Sequence, residues 1–470
     1  MLNKLPEADN MSGFINSWLE HERCLHTIDE IFGWIRENES NTVVNITRTT
    51  LDEDAYWFYD EKNGTITNKN DSFFSIKGFI SKQEEQILCE QPIIIQDEIG
   101  FLGIICKSFN GILHFLMQAK IEPGNINKIQ ISPTIQATKS NFLRKHSGKE
   151  PAYLEYFLNS SCKQLIVDQI QSEQSSRFYK KRNRNIIIQV DEEVTILTNF
   201  CWMTLGQIKR LMRYDNLVNM DTRTVLSCIP FCRVNILNTP NLHLFQKCFL
   251  SAEFFNSVFS NDGLNSLPAV YQEINNCKMF NNSYKEFVPL HELRHWNWHD
   301  GQFVCEHGAN FKISFFNIEI NCREVRHWSQ PLFEATGIST FGLPVCQQNG
   351  IMLFLVRIKP EVGCFDILEL GPAIQLEPTE EPNPENPVER LFFEYFYSGR
   401  DIIHNVLLSE EGGRFYCEQN RNLIIEIPSD SLQCLPAGYF WLDFRTLNYL
   451  IQINNCLNIQ LRNLLSLLEA

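Results

Sequence analysis

The sequence predicts an α+β protein in which one unit of mixed β-sheet with flanking helices occurs twice in tandem. Three observations predict this fold: an internal repeat over most of the 470 residues, Asn-Gly turns between apolar runs in both repeats, and helically spaced apolar residues after the strands. A chain of this length is too long to fold around a single hydrophobic core, so its size alone favours two domains.

The repeat becomes visible when the sequence is displaced by 239 positions. Between Gln91 and Gln136 this register gives 15 identities in 46 positions without a gap. After a slip of two residues, the segment RFYKKRNRN, which starts at Arg177, aligns with RFYCEQNRN, which starts at Arg414. Such self-similarity indicates two copies of one structural unit.

The register divides the chain near Thr239-Pro240-Asn241. We predict a first domain over residues 1–238 and a second over residues 239–470, and we call these the first and the second copy. Two related sheets in one chain form an internal pseudo-dimer, so a ligand pocket could lie within either copy or between them.

Each copy contains two apolar runs joined by an Asn-Gly pair, at Asn110-Gly111 and at Asn349-Gly350. Both residue types tolerate positive φ, so the pattern predicts hairpins with type I′ turns. Apolar residues at three- and four-residue spacing predict a helix from about Tyr153 and its counterpart from about Val388. Further strands are predicted at 185–190 and 422–427, before closing helices.

Composition and charge limit the kinds of partner that the protein can bind. A net charge of −15 argues against nucleic acid or an anionic membrane. No apolar run approaches the about 18 residues of a membrane-spanning helix, and the N-terminus lacks the order of a signal peptide, so we expect a cytoplasmic protein. Sixteen dispersed cysteines without a CxxC pair are typical of reduced thiols.

The loop after Gln136 differs most between the copies. The first copy reads ATKSNFLRKHSGKEP, with Lys139 and Arg144 among its basic residues, whereas the second copy reads LEPTEEPNPENP, with four glutamates. The basic loop is suited to an anion, with Ser140 and Asn141 as further donors. Alternatively, both loops are independently solvated surface segments, and the sequence leaves the two interpretations open.

The RFY elements and one tryptophan survive in both copies. Arg177 and Arg414 offer planar forks suited to phosphate, and their aromatic neighbours could stack on a base or sugar. The alternative is an arginine that caps a turn beside core aromatics, and for these two arginines we favour phosphate. Trp57 and Trp296 could stack on a nucleobase, although a core position is the more common role of such residues.

Lys120 and Glu122 follow the first Asn-Gly turn, and Lys359 and Glu361 hold the matching positions. Residues two apart at a strand end point to the same face. In a pocket, burial could lower the pKa of the lysine or raise that of the carboxylate, which would make an acid–base pair. On an open surface the same residues would form a weak ion pair.

The segment from His291 to His295 spells HExxH, the signature of zinc proteases. That chemistry needs a helix and a third ligand, whereas Pro289 precedes the segment and Asp300-Gly301 follows it as a turn signal. We therefore predict no metal site. Dinucleotide, ATP-phosphate and acyl-enzyme motifs do not occur either, so we predict no cofactor.

The runs QAKIEPGN, QISPT, QATKSNF and RFYKKRNRN, with GGRFYCEQNRNLIIEI in the second copy, resemble the NDP-hexose 2,3-dehydratase family across essentially the whole chain. The resemblance implies a Nudix-like fold in each half and a homodimer. It implies a lyase of deoxysugar biosynthesis that needs no cofactor and dehydrates a dTDP-4-keto-6-deoxyhexose across C2 and C3. The unstable 3,4-diketo product would pass to a downstream 3-ketoreductase.

Two other functions are kept as alternatives. One is a Nudix-type nucleotide-sugar pyrophosphatase, which the missing carboxylate-rich Nudix box REx₂EE disfavours. The other is a non-catalytic sugar-nucleotide-binding protein. Both would use the same nucleotide, so turnover of a ketosugar separates them from the dehydratase.

Lys120 and Glu122 are the candidate acid–base residues. The resemblance does not tell which copy is catalytic, and the basic loop favours the first. The candidate substrate-binding residues are Trp57, Thr138, Lys139, Ser140, Asn141, Phe142, Arg144, Arg177, Trp296, Lys359, Gln375, Arg414, Phe415, Tyr416, Asn420 and Arg421.

Overall fold

The computed structural model describes residues 9–22, 24–51, 56–138, 151–158, 165–234, 245–259, 263–321, 323, 325–432 and 434–470. Within these ranges it is an α+β structure, as predicted, and it contains four sheets. None of the described helices is long and apolar enough to cross a membrane. The cysteines in the same ranges are free thiols.

The first copy contains the following elements: α1 (Asp9–Leu19), α2 (Ile28–Asn41), β1 (Val44–Thr49), β2 (Trp57–Asp60), β3 (Thr65–Asn68), β4 (Ser75–Gln83), β5 (Gln86–Ile95), β6 (Gly100–Phe109), β7 (Ile112–Lys120), β8 (Gln130–Ser132), β9 (Ile135–Ala137), α3 (Leu154–Leu158), β10 (Leu165–Ser172), β11 (Phe178–Tyr179), β12 (Arg182–Gln189), β13 (Phe200–Thr204), α4 (Leu205–Leu211) and α5 (Met220–Ser227).

The second copy contains α6 (Ala252–Phe259), α7 (Leu267–Met279), β14 (Ser283–Val288), β15 (Trp296–His299), β16 (Gln302–Cys305), β17 (Phe311–Ile320), β18 (His327–Ala335), β19 (Ser339–Gln348), β20 (Ile351–Pro360), β21 (Leu368–Pro372), β22 (Ile374–Leu376), α8 (Pro387–Ser398), β23 (Ile402–Ser409), β24 (Gln419–Glu426), β25 (Tyr439–Asp443), α9 (Phe444–Ile451) and α10 (Ile459–Ser466). Short 3₁₀ turns cover Phe231–Arg233, Gly263–Ser266 and Leu290–Glu292.

Each copy holds a seven-stranded mixed sheet, and the two sheets have the same strand order. The first runs β10-β12-β6-β7-β13, with β8 beside β7 and β9 beside β6. The second runs β23-β24-β19-β20, with β21 and β25 beside β20 and β22 beside β19. In each sheet one central pair is parallel, β12 with β6 or β24 with β19. The repeat in sequence is therefore a repeat in topology.

The predicted hairpins are confirmed by their turn geometry. Asn110 and Gly111 have φ of 52° and 82°, and Asn349 and Gly350 have φ of 52° and 73°. Positive φ at both central positions is the requirement of a type I′ turn. The predicted helices are present as α3 and α8, and Asn386 caps α8 by accepting a hydrogen bond from the Val388 amide at 3.0 Å.

The two copies exchange one strand each. Strand β1 of the first copy pairs antiparallel with β17 of the second, so that Val44 lies opposite Ile320. Strand β14 of the second copy pairs in the same way with β4 of the first, and Ser283 lies opposite Gln83. The predicted junction near Thr239 lies outside the described residues. The sheets on both sides of it are completed by the other copy.

A second exchange brings each RFY turn against the other copy. The amide of Gly124 donates to the Gly412 carbonyl at 2.7 Å, and the amide of Gly363 donates to the Ser175 carbonyl at 2.8 Å. A Cβ at Gly124 would collide with the carbonyl oxygen of Phe415, so only glycine allows this approach. The turn after β7 is thereby held beside the second copy's RFY turn.

Candidate active site

A cavity of about 760 Å³ lies where the two copies meet. The first copy supplies the ends of β7 and β9 and the start of α5 to its wall. The second copy supplies the beginning of β18 and the turn after β23. The cavity therefore depends on the exchange of RFY turns, because neither copy alone provides both walls.

Lys120 and Glu122 lie together at the inner end of β7. The Lys120 Nζ and Glu122 Oε1 atoms are 3.4 Å apart, and the two side chains are 12% and 8% exposed. Gln136, on β9, donates from Nε2 to the same Glu122 oxygen at 3.0 Å. The pair therefore lines the cavity instead of forming an ion pair on an open surface.

Burial lowers the pKa of the Lys120 amine, although Glu122 opposes the effect. Burial would raise the pKa of Glu122, but the positive charges of Lys120 and Arg323 outweigh it and hold that pKa below its ordinary value. A lysine that gives up its proton more easily than usual is a candidate base. The ionised carboxylate beside it can accept a hydrogen bond or a proton.

Arg414 enters the cavity from the second copy. Its guanidinium carbon lies 4.3 Å from the centroid of the Phe74 ring, and Nη2 donates to Gln96 Oε1 at 3.2 Å. Both partners belong to the first copy. The Nε atom is buried and has no hydrogen-bond partner among the described residues. An arginine held in this way can present a fork to an anionic ligand.

Two carboxyls of the cavity wall were missed by the sequence analysis. Asp221, in the first turn of α5, is 2% exposed, and Glu411 lies in the turn after β23. Burial, followed by the charge of Glu411, raises the pKa of Asp221 well above its ordinary value. Burial also raises the pKa of Glu411, although Arg414 opposes the effect. Burial therefore shifts both groups towards their protonated forms.

A signal for these carboxyls was present in the repeat. The second copy has Gln460 where the first has Asp221, and the first copy has Gln174 where the second has Glu411. A carboxyl that is an amide in the other copy is not required by the shared fold. Arg323 was also missed, and it has no counterpart in the aligned segments that could have drawn attention to it.

The two tryptophans occupy different surroundings. Trp57 lines the cavity, and its ring packs on Phe74 with centroids 4.6 Å apart. Trp296 packs on Phe303 and Phe311, at 5.9 and 5.2 Å, and does not line the cavity. Both side chains are buried and contribute to the core, and Trp57 also lines the cavity.

The other predicted residues of the second RFY element hold its turn in place. The Phe415 ring lies edge-on to Phe178 across the boundary between the copies, with centroids 5.7 Å apart. Tyr416 stacks on Phe316 at 4.2 Å. Asn420 donates to Glu410, and Arg421 donates to Asn405 at 2.9 Å. These four residues lie outside the lining of the cavity.

The loop that was predicted to bind an anion is described only at its start. Thr138 lines the cavity directly after β9. The predicted residues Lys139, Ser140, Asn141, Phe142 and Arg144 lie outside the described residues.

The second copy repeats part of the site. Gln375 donates to Glu361 at 2.9 Å, as Gln136 does to Glu122, and Lys359 lies two residues before that glutamate. The counterpart of Arg414 is Arg177, whose Nη2 lies 2.9 Å from Glu377 Oε2. The two side chains are 2% and 12% exposed, so this arginine is already paired with a carboxylate.

The HExxH segment does not form a helix. Leu290–Glu292 is a 3₁₀ turn, and Trp296–His299 is strand β15. The described residues contain no group of three or more His, Cys, Asp or Glu side chains placed to hold a metal ion.

Comparison with known proteins identifies the family. A family model for NDP-hexose 2,3-dehydratase matches residues 28–229 and 268–468, one match in each copy. A dTDP-4-dehydro-6-deoxy-α-D-glucopyranose 2,3-dehydratase of Saccharopolyspora spinosa is 33% identical over 467 residues, which cover 98% of this chain and 96% of its own. An enzyme of the same name from Streptomyces violaceoruber is 34% identical over 445 residues, 92% of this chain and 95% of its own. The chain therefore belongs to the NDP-hexose 2,3-dehydratase family.

Proposed function

We propose that this protein removes water across C2 and C3 of dTDP-4-keto-6-deoxyglucose and yields a 3,4-diketo-2,6-dideoxy sugar. The observation that carries the proposal is the enclosed contact of Lys120 with Glu122 in a cavity that also holds Arg414. The family and the printed names of the relatives support the same reaction.

The cavity chemistry suits an elimination that starts at an acidic carbon. The C4 ketone makes the C3 proton more acidic. A base whose pKa lies near the working pH can then remove that proton. We assign this step to Lys120, because burial lowers its pKa and Glu122 keeps the amine in position. The enolate that forms at C4 needs donors that are already in place, and such stabilisation commonly exceeds the contribution of the base.

We propose that the diphosphate lies beside Arg414 and Thr138. Arg414 enters from one copy and Thr138 from the other, and both line the same cavity as the Lys120 pair. Phe74, under the Arg414 guanidinium, and Trp57 offer ring surfaces near that end. In this arrangement the nucleotide would follow the boundary between the copies, and the sugar would reach the end of β7.

The finer expectations from the sequence belong to the same proposal. A Nudix-like fold in each copy is supported by two mixed seven-stranded sheets of equal order. We also propose a homodimer, which light scattering can test, and a downstream 3-ketoreductase, which the instability of a 3,4-diketone would require.

Turnover in D₂O tests the reaction. The protein is incubated with dTDP-4-keto-6-deoxyglucose and a 3-ketoreductase that traps the product. Deuterium at C2 of the trapped sugar is the expected result, because that carbon is protonated from solvent after water has left. Unchanged sugar from folded protein would contradict the proposal. Magnesium-dependent release of dTMP would favour the pyrophosphatase, and dTDP binding without turnover would favour a binding protein.

A further inference from the structure

Two carboxyls face the Lys120–Glu122 pair from different copies. Asp221 is the second residue of α5, and Glu411 is the second residue after β23. Both line the cavity. No described side chain donates a hydrogen bond to either carboxyl. Such groups are costly to bury as anions, and a proton removes that cost.

The electrostatics divide the four groups into two kinds. Glu122 stays ionised because Lys120 and Arg323 outweigh the effect of its burial on its pKa. Burial and the neighbouring negative charges raise the pKa of Asp221 and of Glu411. Two carboxyls in one pocket share protons for the same reason, since both cannot ionise cheaply. The site therefore favours the ionised form of Glu122 and the protonated forms of Asp221 and Glu411.

Comparing the two copies shows which residues of the site recur with the fold and which occur in one copy. The strand-end pair occurs in both copies, as Lys120 with Glu122 and as their counterparts on β20. Asp221 and Glu411 do not recur, because Gln460 replaces Asp221 and Gln174 replaces Glu411 in the counterpart site. Since amide side chains stand at the matching positions of the same fold, the shared fold does not require carboxyls there.

We propose that Glu411 is the acid that protonates the departing C2 hydroxyl and that Asp221 is a positioning residue that shares its proton. Glu411 is the more accessible of the two, since it is half-buried whereas Asp221 is 2% exposed. The inference rests on the proposed function, since it assigns a role within that reaction.

The bonds balance without a further reactant. The base takes the C3 proton, and the electron pair forms the C3–C4 enolate. The carbonyl at C4 forms again as the C2–O bond breaks, and the hydroxyl leaves as water with the proton of Glu411. The resulting C2–C3 enol takes a proton from solvent at C2, and its C3 hydroxyl proton returns to Glu411. Lys120 releases the proton taken from C3 to solvent, which restores both groups and completes the cycle.

Partial reactions distinguish an acid from a base. In D₂O, E411Q is expected to exchange the C3 proton of the substrate at a rate within about threefold of the wild-type rate of proton removal, since its base is intact. Trapped product should fall by about 100-fold or more, the usual contribution of a general acid. E411D, which keeps an acid on a shorter stem, should recover part of the product. D221N should lower product less and should shift the alkaline limb of its pH profile.

Glu369 supplies a matched control. It is another buried carboxyl, and burial raises its pKa to about 8, but it contacts Ser172 at 2.7 Å outside the cavity. Its counterpart Gln130 makes the equivalent hydrogen bond to Ser409 at 2.9 Å. E369Q should therefore keep both exchange and product formation.

Each outcome decides the proposal. Normal product formation by E411Q overturns it, and so does a folded E411Q that loses exchange together with product. If E411Q does not fold, E411D must lose product more than exchange, and an equal loss of both overturns the assignment. A wild-type protein that binds dTDP but neither exchanges nor eliminates would instead refute the proposed function itself.

Discussion

The two copies keep the same strand-end pair but differ in what faces it. In the first copy, Glu122 accepts a hydrogen bond from Gln136 at 3.0 Å, and in the second the equivalent bond to Glu361 measures 2.9 Å. The surroundings then diverge. The first site has Thr138 opposite an incoming arginine, whereas the second has Glu377 at the matching position.

That single difference changes the role of the arginine. Arg414 meets neutral Gln96 in the first site and keeps its charge for a ligand. Arg177 meets the Glu377 carboxylate, which occupies the place that an anionic ligand would need. The comparison teaches that an arginine preserved by duplication does not mark a ligand site by itself. The charge that faces it decides whether the site is open.

The largest expected effect comes from the base. Lys120→Met keeps the apolar stem and removes the amine, so dehydration should fall by about 10²–10⁴-fold, the usual contribution of a general base. The matched change, Lys359→Met in the second copy, should leave the rate within about threefold. Steady-state turnover with the trapping reductase measures both. Equal losses would break the distinction between the copies.

Replacing Arg177 or Arg414 with alanine should affect different properties of the protein. Arg177→Ala leaves Glu377 buried without its partner and should lower the free energy of unfolding by about 3–5 kcal/mol. Arg414→Ala should instead lower dTDP affinity by about tenfold or more, because a hydrogen bond to a charged group is worth about 1.5–3 kcal/mol. Urea unfolding and calorimetry measure the two quantities. A loss of dTDP affinity in Arg177→Ala with unchanged stability would contradict the comparison.

Exchanging the residues that face the two arginines, Thr138 and Glu377, should change which arginine can bind dTDP. In an Arg414→Ala background, Glu377→Thr releases Arg177 and should tighten dTDP binding by about tenfold. Thr138→Glu in the wild-type background should weaken binding by a similar factor, since it places a carboxylate opposite Arg414. Calorimetric titration measures each affinity. If neither change alters binding, the carboxylate does not control access.

The smallest effect concerns stability and pH at another position where the copies differ. Lys209 donates to the Ser466 carbonyl at 2.8 Å, and its counterpart Asn448 donates to the Ile229 carbonyl at 2.9 Å. Burial lowers the pKa of Lys209 to about 7. Between that pH and the ordinary lysine value of 10.5, the unfolded chain holds a proton that the folded chain lacks. Lys209 therefore makes the free energy of unfolding rise with pH in this window, by at most about 1.4 kcal/mol per pH unit.

Lys209→Asn should remove this slope, because it introduces the residue that the second copy already uses. Urea unfolding at several pH values between 7 and 10 compares the variant with the wild type. An unchanged slope would show that the titration of this lysine does not contribute to it.

Local features of the site could be predicted from the sequence. The turn geometry at Asn110 follows from two residue types, and the short separation of Lys120 and Glu122 at a strand end indicated that they would lie close together. The repeat also indicated Arg177 and Arg414 as an equivalent pair. The sequence did not show that Arg177 faces a carboxylate and Arg414 a neutral amide, because Glu377 and Gln96 reach them from the other copy.

The duplication, the α+β class, the hairpins and the strand-end pair follow from the amino-acid sequence, since each depends on residues that are close in the chain or on a comparison of its halves. The position of the cavity between the copies became visible in the folded chain, because each RFY turn packs on the other copy through a glycine. The same holds for the placement of Asp221 and Glu411 opposite Lys120. Their burial in a common cavity depends on contacts between positions remote in the chain, and no local pattern encodes such contacts.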